Sequence, residues 1–359
     1  MAIEQHYLNT LNKEIKTLIQ SAIKVSFKKP AFLKFIVQNA LWQNTAEKLR
    51  SNLASQGYNI PPFLIASVTS ECNLMCKGCY DQDNKRSCKE ELPLQRWLDI
   101  FGEAKSLGIS FILVAGGEPF MRKDLIAGLG LFPEIIFPIF TNGTYIDEET
   151  LRVLDKSRNC VPIVSLEGFE ADTDERRGTG VYQKVRKSMD AFNQKSIFFG
   201  ASITVTRDNY ALVTSDVFVK DLAQKGCKIF FYVEYIPLDP TTEHLQINEV
   251  ERLGLAEHLD SLRESFSALF ISFPGDENLM GGCLSSGRGF VHISASGDLE
   301  PCPFSPYSDV NVKGMTLKDA LQSNFLRSIR ESGEHLSETE KGCALFNKKD
   351  WVVSLLNKN

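Results

Sequence analysis

No excess of basic charge marks this chain: 40 Lys and Arg stand against 45 Asp and Glu, for a net charge of −5. A surface built to coat nucleic acid is thereby excluded, because such domains carry a basic surplus. A charged-then-apolar leader pattern is also missing from the start of the chain. No stretch reads as a membrane span. Residues 125–146 are nearly free of charge, but Pro133, Glu134, Pro138 and Gly143 divide them into helix, loop and strand. Without a leader, nine cysteines point to a reducing, cytoplasmic setting and to metal binding, not to a disulfide framework. A hydrophobic share of 43% over 359 residues is ample for a packed core in two domains or one large, elaborated domain.

What the chain does have is a run of three closely spaced cysteines, Cys72, Cys76 and Cys79, followed at once by Tyr80. The gaps are three and two residues, and an apolar, β-prone stretch at 63–68 precedes them. Three thiolates on one loop can hold three corners of a four-iron–four-sulfur cube, leaving the fourth iron open to a small chelating molecule. A structural zinc site needs four ligands, and no fourth Cys or His follows at such spacing; Cys88 lies nine residues on, in a polar context.

From residue 63 onward, β-prone runs at 63–68, 111–115, 135–140, 161–166, 197–205 and 228–235 alternate with helical patterns at 94–107, 122–131, 147–157, 181–193 and 209–224. This alternation predicts a parallel sheet of β-α units, with all strand C-terminal ends on one rim. Candidate ligand-binding groups recur at those ends. Gly116, Gly117, Glu118 and Pro119 close the second strand; the glycines admit close backbone approach and the carboxylate can accept from an ammonium group. Thr141, Asn142 and Gly143 close the third with groups suited to ribose hydroxyls. Ser165 and then Arg176 and Arg177 follow the fourth, Ser202 and Thr204 lie on the fifth, and Glu234 and Tyr235 end the sixth. Taken singly, such residues are ordinary loop chemistry. In order, each behind a strand and downstream of the cysteines, they form one pattern.

That pattern resembles the radical S-adenosylmethionine (SAM) superfamily, whose hallmark is Cys-x3-Cys-x2-Cys followed by an aromatic. The resemblance runs from about Phe63 to Ile236 and, more weakly, to Cys343. It implies a [4Fe–4S] cluster on Cys72, Cys76 and Cys79 that binds SAM and cleaves it reductively to a 5′-deoxyadenosyl radical. It further implies that the Gly116–Pro119 run meets the SAM amino group, that Ser165 with Arg176 or Arg177 meets its ribose and carboxylate, and that Tyr80 lies near the adenine.

A second cysteine set follows: Cys283, Cys302 and Cys343. Residues 289–302 read as a hairpin about Ser296-Gly297-Asp298. Cys283, Gly297 and Cys302 match the Cys-x13-Gly-x4-Cys opening of the auxiliary-cluster extensions called SPASM and twitch domains. The dense cysteine run that usually follows is missing, so the resemblance implies one auxiliary Fe–S cluster, either with an open iron or with a fourth ligand among Cys88, Cys160, Cys227, His244 and His292.

The expected architecture is α/β: a partial (β/α)6 TIM-like barrel with an N-terminal helical extension and a C-terminal twitch/SPASM-like α+β domain. The corresponding segments are 1–60, a core at 61–240, a helical linker at 241–275, and 276–359. Residues 1–60 hold eight basic residues against three acidic ones. Leu8, Leu11, Ile15, Leu18 and Ala22 recur there at helical spacing, and Phe32, Phe35, Ile36, Asn39 and Trp42 line a second helix. Packing on the core is the plain expectation, and peripheral membrane contact the sharper one. The expected activity is hydrogen abstraction by a radical SAM enzyme, first from a peptide or protein side chain and alternatively from a small molecule or lipid. Glu234 or Tyr235 is the candidate proton or hydrogen relay, and a flavodoxin- or ferredoxin-type protein the reductant. A non-catalytic Fe–S or zinc protein of electron transfer or regulation is the reading from another class.

Overall fold

Apolar, β-prone runs from 63 onward form a nine-stranded sheet in the order β7-β6-β5-β4-β3-β2-β1-β8-β9. The computed structural model describes residues 16, 20, 23, 30–83, 90–275, 277, 282–337 and 342–356. Its strands are β1 Phe63–Thr69, β2 Phe111–Gly116, β3 Phe137–Thr141, β4 Cys160–Leu166, β5 Gly200–Val205, β6 Ile229–Glu234, β7 Leu269–Phe273, β8 Phe290–Ile293 and β9 Leu299–Glu300. β1 to β7 pair in parallel, β8 joins β1 in parallel, and β9 returns antiparallel to β8.

The sheet has two apolar faces, which is why the strands read as nearly continuous hydrophobic runs. The outer face packs against helices whose buried residues fall at helical spacing, as in Leu94–Leu107 with Trp97, Ile100, Phe101, Ala104 and Leu107. The inner cluster contains Phe111, Val161, Ile163, Ile229, Phe231 and Leu269, near the starts of their strands. Ile36 of the helix Pro30–Ser55 completes it and stops the N-terminal end of the barrel. This helix is anchored by Asn39 Nδ2 donating to the Glu134 carbonyl at 3.0 Å and by Ser110 Oγ donating to Gln43 at 2.7 Å. The first helical pattern, with Leu8, Leu11, Ile15, Leu18 and Ala22, lies outside the described residues.

The partial barrel is as expected, with several differences in extent. The stretch 241–275 holds a 3-10 helix at Pro240–Leu245 and an α-helix at Glu249–Ser265; Leu269–Phe273 then adds a seventh strand beside β6. β5 starts at Gly200 and not at 197, because Ser196 turns at φ 54° and the Ile197 N–H donates to the Phe192 carbonyl. The helical pattern at 209–224 is two helices, Tyr210–Val213 and Asp216–Gln224, with Ser215 capping the second. The hairpin at 289–302 forms as β8 and β9, but β8 continues the barrel sheet. The Phe273 and Phe290 rings meet 5.4 Å apart, joining the β7 and β8 sides of the barrel.

Candidate active site

The loop that leaves β1 carries Cys72, Cys76 and Cys79, all half-buried. Its root is held by Glu91, whose Oε1 accepts from the Ser70 N–H at 2.8 Å, Ser70 Oγ at 2.9 Å and Thr69 Oγ1 at 3.0 Å. The other side of the root is zipped to the end of β2. There the Gly117 N–H donates to the Thr69 carbonyl and the Glu118 N–H to the Glu71 carbonyl, both at 2.8 Å. This contact explains the glycine pair: a Cβ on Gly116 would stand 2.2 Å from the Thr69 oxygen, and one on Gly117 2.0 Å from the Glu71 oxygen. The glycines are required by the cysteine loop itself.

Glu118 is fully buried, and its carboxylate accepts from the Phe120 N–H at 3.0 Å, Thr141 Oγ1 at 2.8 Å and the Asn142 N–H at 2.7 Å. Burial pushes its pKa up, against the pull of these donors. Three of its roughly four acceptor sites are thus taken by the protein. The carboxylate expected to meet an ammonium group therefore acts as a strut between the ends of β2 and β3. From the end of β3, Asn142 Nδ2 reaches Cys72 Sγ at 3.8 Å and Asn73 Oδ1 at 2.8 Å. Gly143 donates its N–H to Thr141 Oγ1 at 3.0 Å.

Past β4, Glu167 is 2% exposed and takes both neighbouring arginines. Arg177 donates from Nε and Nη2 at 2.6 Å, and Arg176 from Nη1 at 2.7 Å. Burial penalises the Glu167 carboxylate, but the two guanidinium charges outweigh it and hold its pKa below the usual carboxylate range. Arg176 also donates to Thr204 Oγ1 on β5 at 2.8 Å and to the Lys77 and Gly78 carbonyls at 3.1 and 3.3 Å. Burial pushes the Cys72 and Cys76 thiols up; at Cys76 the nearby Arg177 and Arg176 charges work against it. Ser165 and Ser202 are register partners on β4 and β5, Ser165 half-buried and Ser202 buried.

Two expected positions turn out differently. Glu234 alternates with the inner residues Phe231 and Val233, so it lies on the outer face of β6, where Arg252 pairs with both its oxygens at 2.9 and 3.0 Å. That removes it from the barrel interior, where a relay residue was expected. Tyr235 is buried against the cysteine loop, its hydroxyl donating to Thr242 Oγ1 at 3.0 Å and its ring filling the space beside Gly78. Tyr80 meets the C-terminal region, its ring tilted against that of Phe304 at 5.5 Å.

Cys283 and Cys302 are buried and Cys343 half-buried. Burial pushes the first two thiols well up, and each also senses the charges of Cys343 and the buried Glu277. Several anionic groups brought together away from water suit a donor set for a cationic centre. Among the described residues, no three Cys, His, Asp or Glu groups converge as ligands of a single metal ion do. A four-iron cube places its thiolates on separate irons and can leave the fourth iron open, so three cysteines suffice for it, whereas a structural zinc site takes four ligands. Of the proposed fourth ligands, Cys160 and Cys227 are buried core thiols, Cys227 pushed up to about 12 by burial. His292 is held by Ser67 at 2.8 Å and Glu300 at 2.7 Å, His244 contacts the Thr241 carbonyl, and Cys88 lies outside the described residues. Asn73, Glu91, Glu167 and Arg252 were not singled out from sequence; the two arginines that Glu167 holds stand nine and ten residues beyond it, too far to leave a local signal.

Residues 66–210 match the family model described as Radical SAM superfamily. The chain carries a radical SAM domain. Over 167 residues it is 30% identical to the Fe-coproporphyrin III synthase of Methanosarcina barkeri, spanning 46% of this chain and 42% of that protein. Over 318 residues it is 23% identical to the AdoMet-dependent heme synthase of the same organism, spanning 80% of this chain and 91% of the relative. Among solved structures, Streptococcus suis SuiB bound to S-adenosylmethionine aligns with a TM-score of 0.65 at 19% identity, over 83% of this chain and 72% of SuiB. The SuiB complex with its precursor peptide SuiA aligns at 0.63, also at 19% identity, over 83% and 71%. These structures share the fold. Radical SAM proteins are enzymes that hold a [4Fe–4S] cluster and bind SAM. No helix among the described residues is long and apolar enough to cross a membrane.

Proposed function

We propose that this radical SAM protein holds its SAM-binding cluster on Cys72, Cys76 and Cys79, holds an auxiliary cluster on Cys283, Cys302 and Cys343, and modifies a peptide side chain. The observation that carries the proposal is the three-cysteine loop at the C-terminal mouth of the barrel, tied to β2, β3 and β4 by Gly117, Asn142 and Arg176. When bound, the reduced cluster supplies the electron that converts SAM to a hydrogen-abstracting radical.

The chain's own residues orient and neutralise. Arg176 and Arg177 offset the thiolate charge while Glu167 keeps them in place. Asn142 fixes Cys72, and Tyr235 and Gly78 pack the far side of the loop. Ser165, Ser202 and Thr204 offer polar groups for a ribose and carboxylate on the strand ends, and Gly116 to Pro119 offer backbone for the amino group. An aromatic pair, Tyr80 and Phe304, stands between the cysteine loop and the Cys302 segment. The reductant is a flavodoxin- or ferredoxin-type protein.

Peptide modification is supported by the fold shared with SuiB in its precursor-peptide complex. A small-molecule substrate is the second reading, because the heme synthase relative aligns over nine tenths of its own length. Anaerobic reconstitution tests the cluster assignment: the wild type should hold about 8 Fe and the Cys72/Cys76/Cys79→Ala variant about 4. Reduced protein with SAM should form 5′-deoxyadenosine, and a yield no higher than that of Cys76→Ala would reject the activity. Tight binding of Fe-coproporphyrin III, read by visible absorbance, would move the substrate assignment from peptide to tetrapyrrole.

A further inference from the structure

Glu234 and Arg252 form a buried ion pair between the end of β6 and the helix Glu249–Ser265, with side chains 1% and 12% exposed. The pair meets the C-terminal segment at Gly342, which adopts φ 79°. A Cβ there would stand 3.1 Å from Arg252 Nη2 and 3.5 Å from Glu234 Oε2. The next residue is Cys343. Two opposite charges therefore sit against Gly342, the residue before one thiol of the second cysteine set, with the guanidinium the nearer to that glycine.

We propose that Glu234 and Arg252 are positioning residues for the auxiliary cluster: they seat the Gly342–Cys343 turn and set the charge that the cluster experiences. This rests on the reading that Cys283, Cys302 and Cys343 hold such a cluster. The chemistry follows from two facts. Fe–S potentials respond to nearby charge and hydrogen bonding. Charges with little solvent around them act at greater strength than exposed ones. A cation against the turn that carries Cys343 favours the reduced, more negative cluster, and an anion opposes it. Removing each partner therefore shifts the midpoint potential in opposite directions, which a merely structural prop would not do.

The test uses the full chain carrying Cys72/Cys76/Cys79→Ala, so that only the auxiliary cluster reports, with iron analysis and an EPR-monitored redox titration. Arg252→Gln should lower the midpoint, Glu234→Gln should raise it, and Arg252→Lys should stay near the parent. Loss of iron from Arg252→Gln with retention in Arg252→Lys also supports the charge role. Shifts in the same direction, no shift, or loss of iron from Arg252→Lys as well would overturn it while leaving the cluster assignment intact. A parent protein without iron overturns the auxiliary-cluster reading and this inference together.

Discussion

Lys77 and Arg176 hold each other twice: the Lys77 N–H donates to the Arg176 carbonyl at 2.9 Å, and Arg176 Nε donates back to the Lys77 carbonyl at 3.1 Å. Lys77 lies between Cys76 and Cys79, and Arg176 lies at the end of a helix anchored through Glu167. The shape of the cysteine loop thus depends on Glu167, which anchors an arginine 99 residues beyond Lys77.

Glu167→Gln leaves two largely buried guanidinium groups without their counter-ion. Breaking a buried ion pair this way costs about 3–5 kcal/mol. Denaturant unfolding of the cluster-free protein should show a loss of that size, and a loss below about 1 kcal/mol would mean water already screens the site.

The same residue has a pH signature. Its folded pKa lies below its unfolded one, so its stabilisation is present above the ordinary glutamate pKa of about 4.3 and is lost as pH falls through the lower folded value. Melting temperature against pH should therefore fall less steeply below about pH 4 in Glu167→Gln than in the wild type. Parallel slopes would assign the acid limb to other carboxylates.

Gly117→Ala would drive a Cβ to 2.0 Å from the Glu71 oxygen, backbone against backbone, with no flexible side chain to yield. The cysteine loop must move. Reconstituted protein should lose about 4 Fe and keep the other cluster, as read by iron analysis. Full iron content would show that the loop tolerates the shift.

Asn142→Ala removes the amide that approaches Cys72 Sγ at 3.8 Å. Hydrogen bonds to cluster sulfurs stabilise the reduced state. The SAM-binding cluster should titrate at a lower midpoint with its iron content unchanged; an unshifted midpoint would leave Asn142 as a loop brace only.

The expectation of peripheral membrane contact through residues 1–60 makes a further prediction. Val37 and Leu41 are 47% and 70% exposed, one helical turn apart, with exposed Lys34 and Lys48 on the same helix. Val37→Ser with Leu41→Ser should leave the melting temperature within a few degrees while lowering flotation with anionic liposomes several-fold. Equal flotation would count against membrane contact by this face.

Local chemistry was legible in the amino-acid order. Cysteine spacing, strand alternation, and the Gly, Asn and Ser residues after each strand all act within a few neighbours, so they announce a cluster loop and a parallel barrel before any coordinates exist. The partners of charged groups were not legible. Glu118 is spent on the third strand's end, Glu167 holds two arginines, and Glu234 faces outward to Arg252, each through pairings set by sheet order or helix placement. A one-residue change in where a strand ends reverses the face of its last side chain. The seventh strand was hidden for a related reason: five residues directly behind a helix carry too little periodicity to be distinguished from its tail, and only the open edge of β6 makes them a strand.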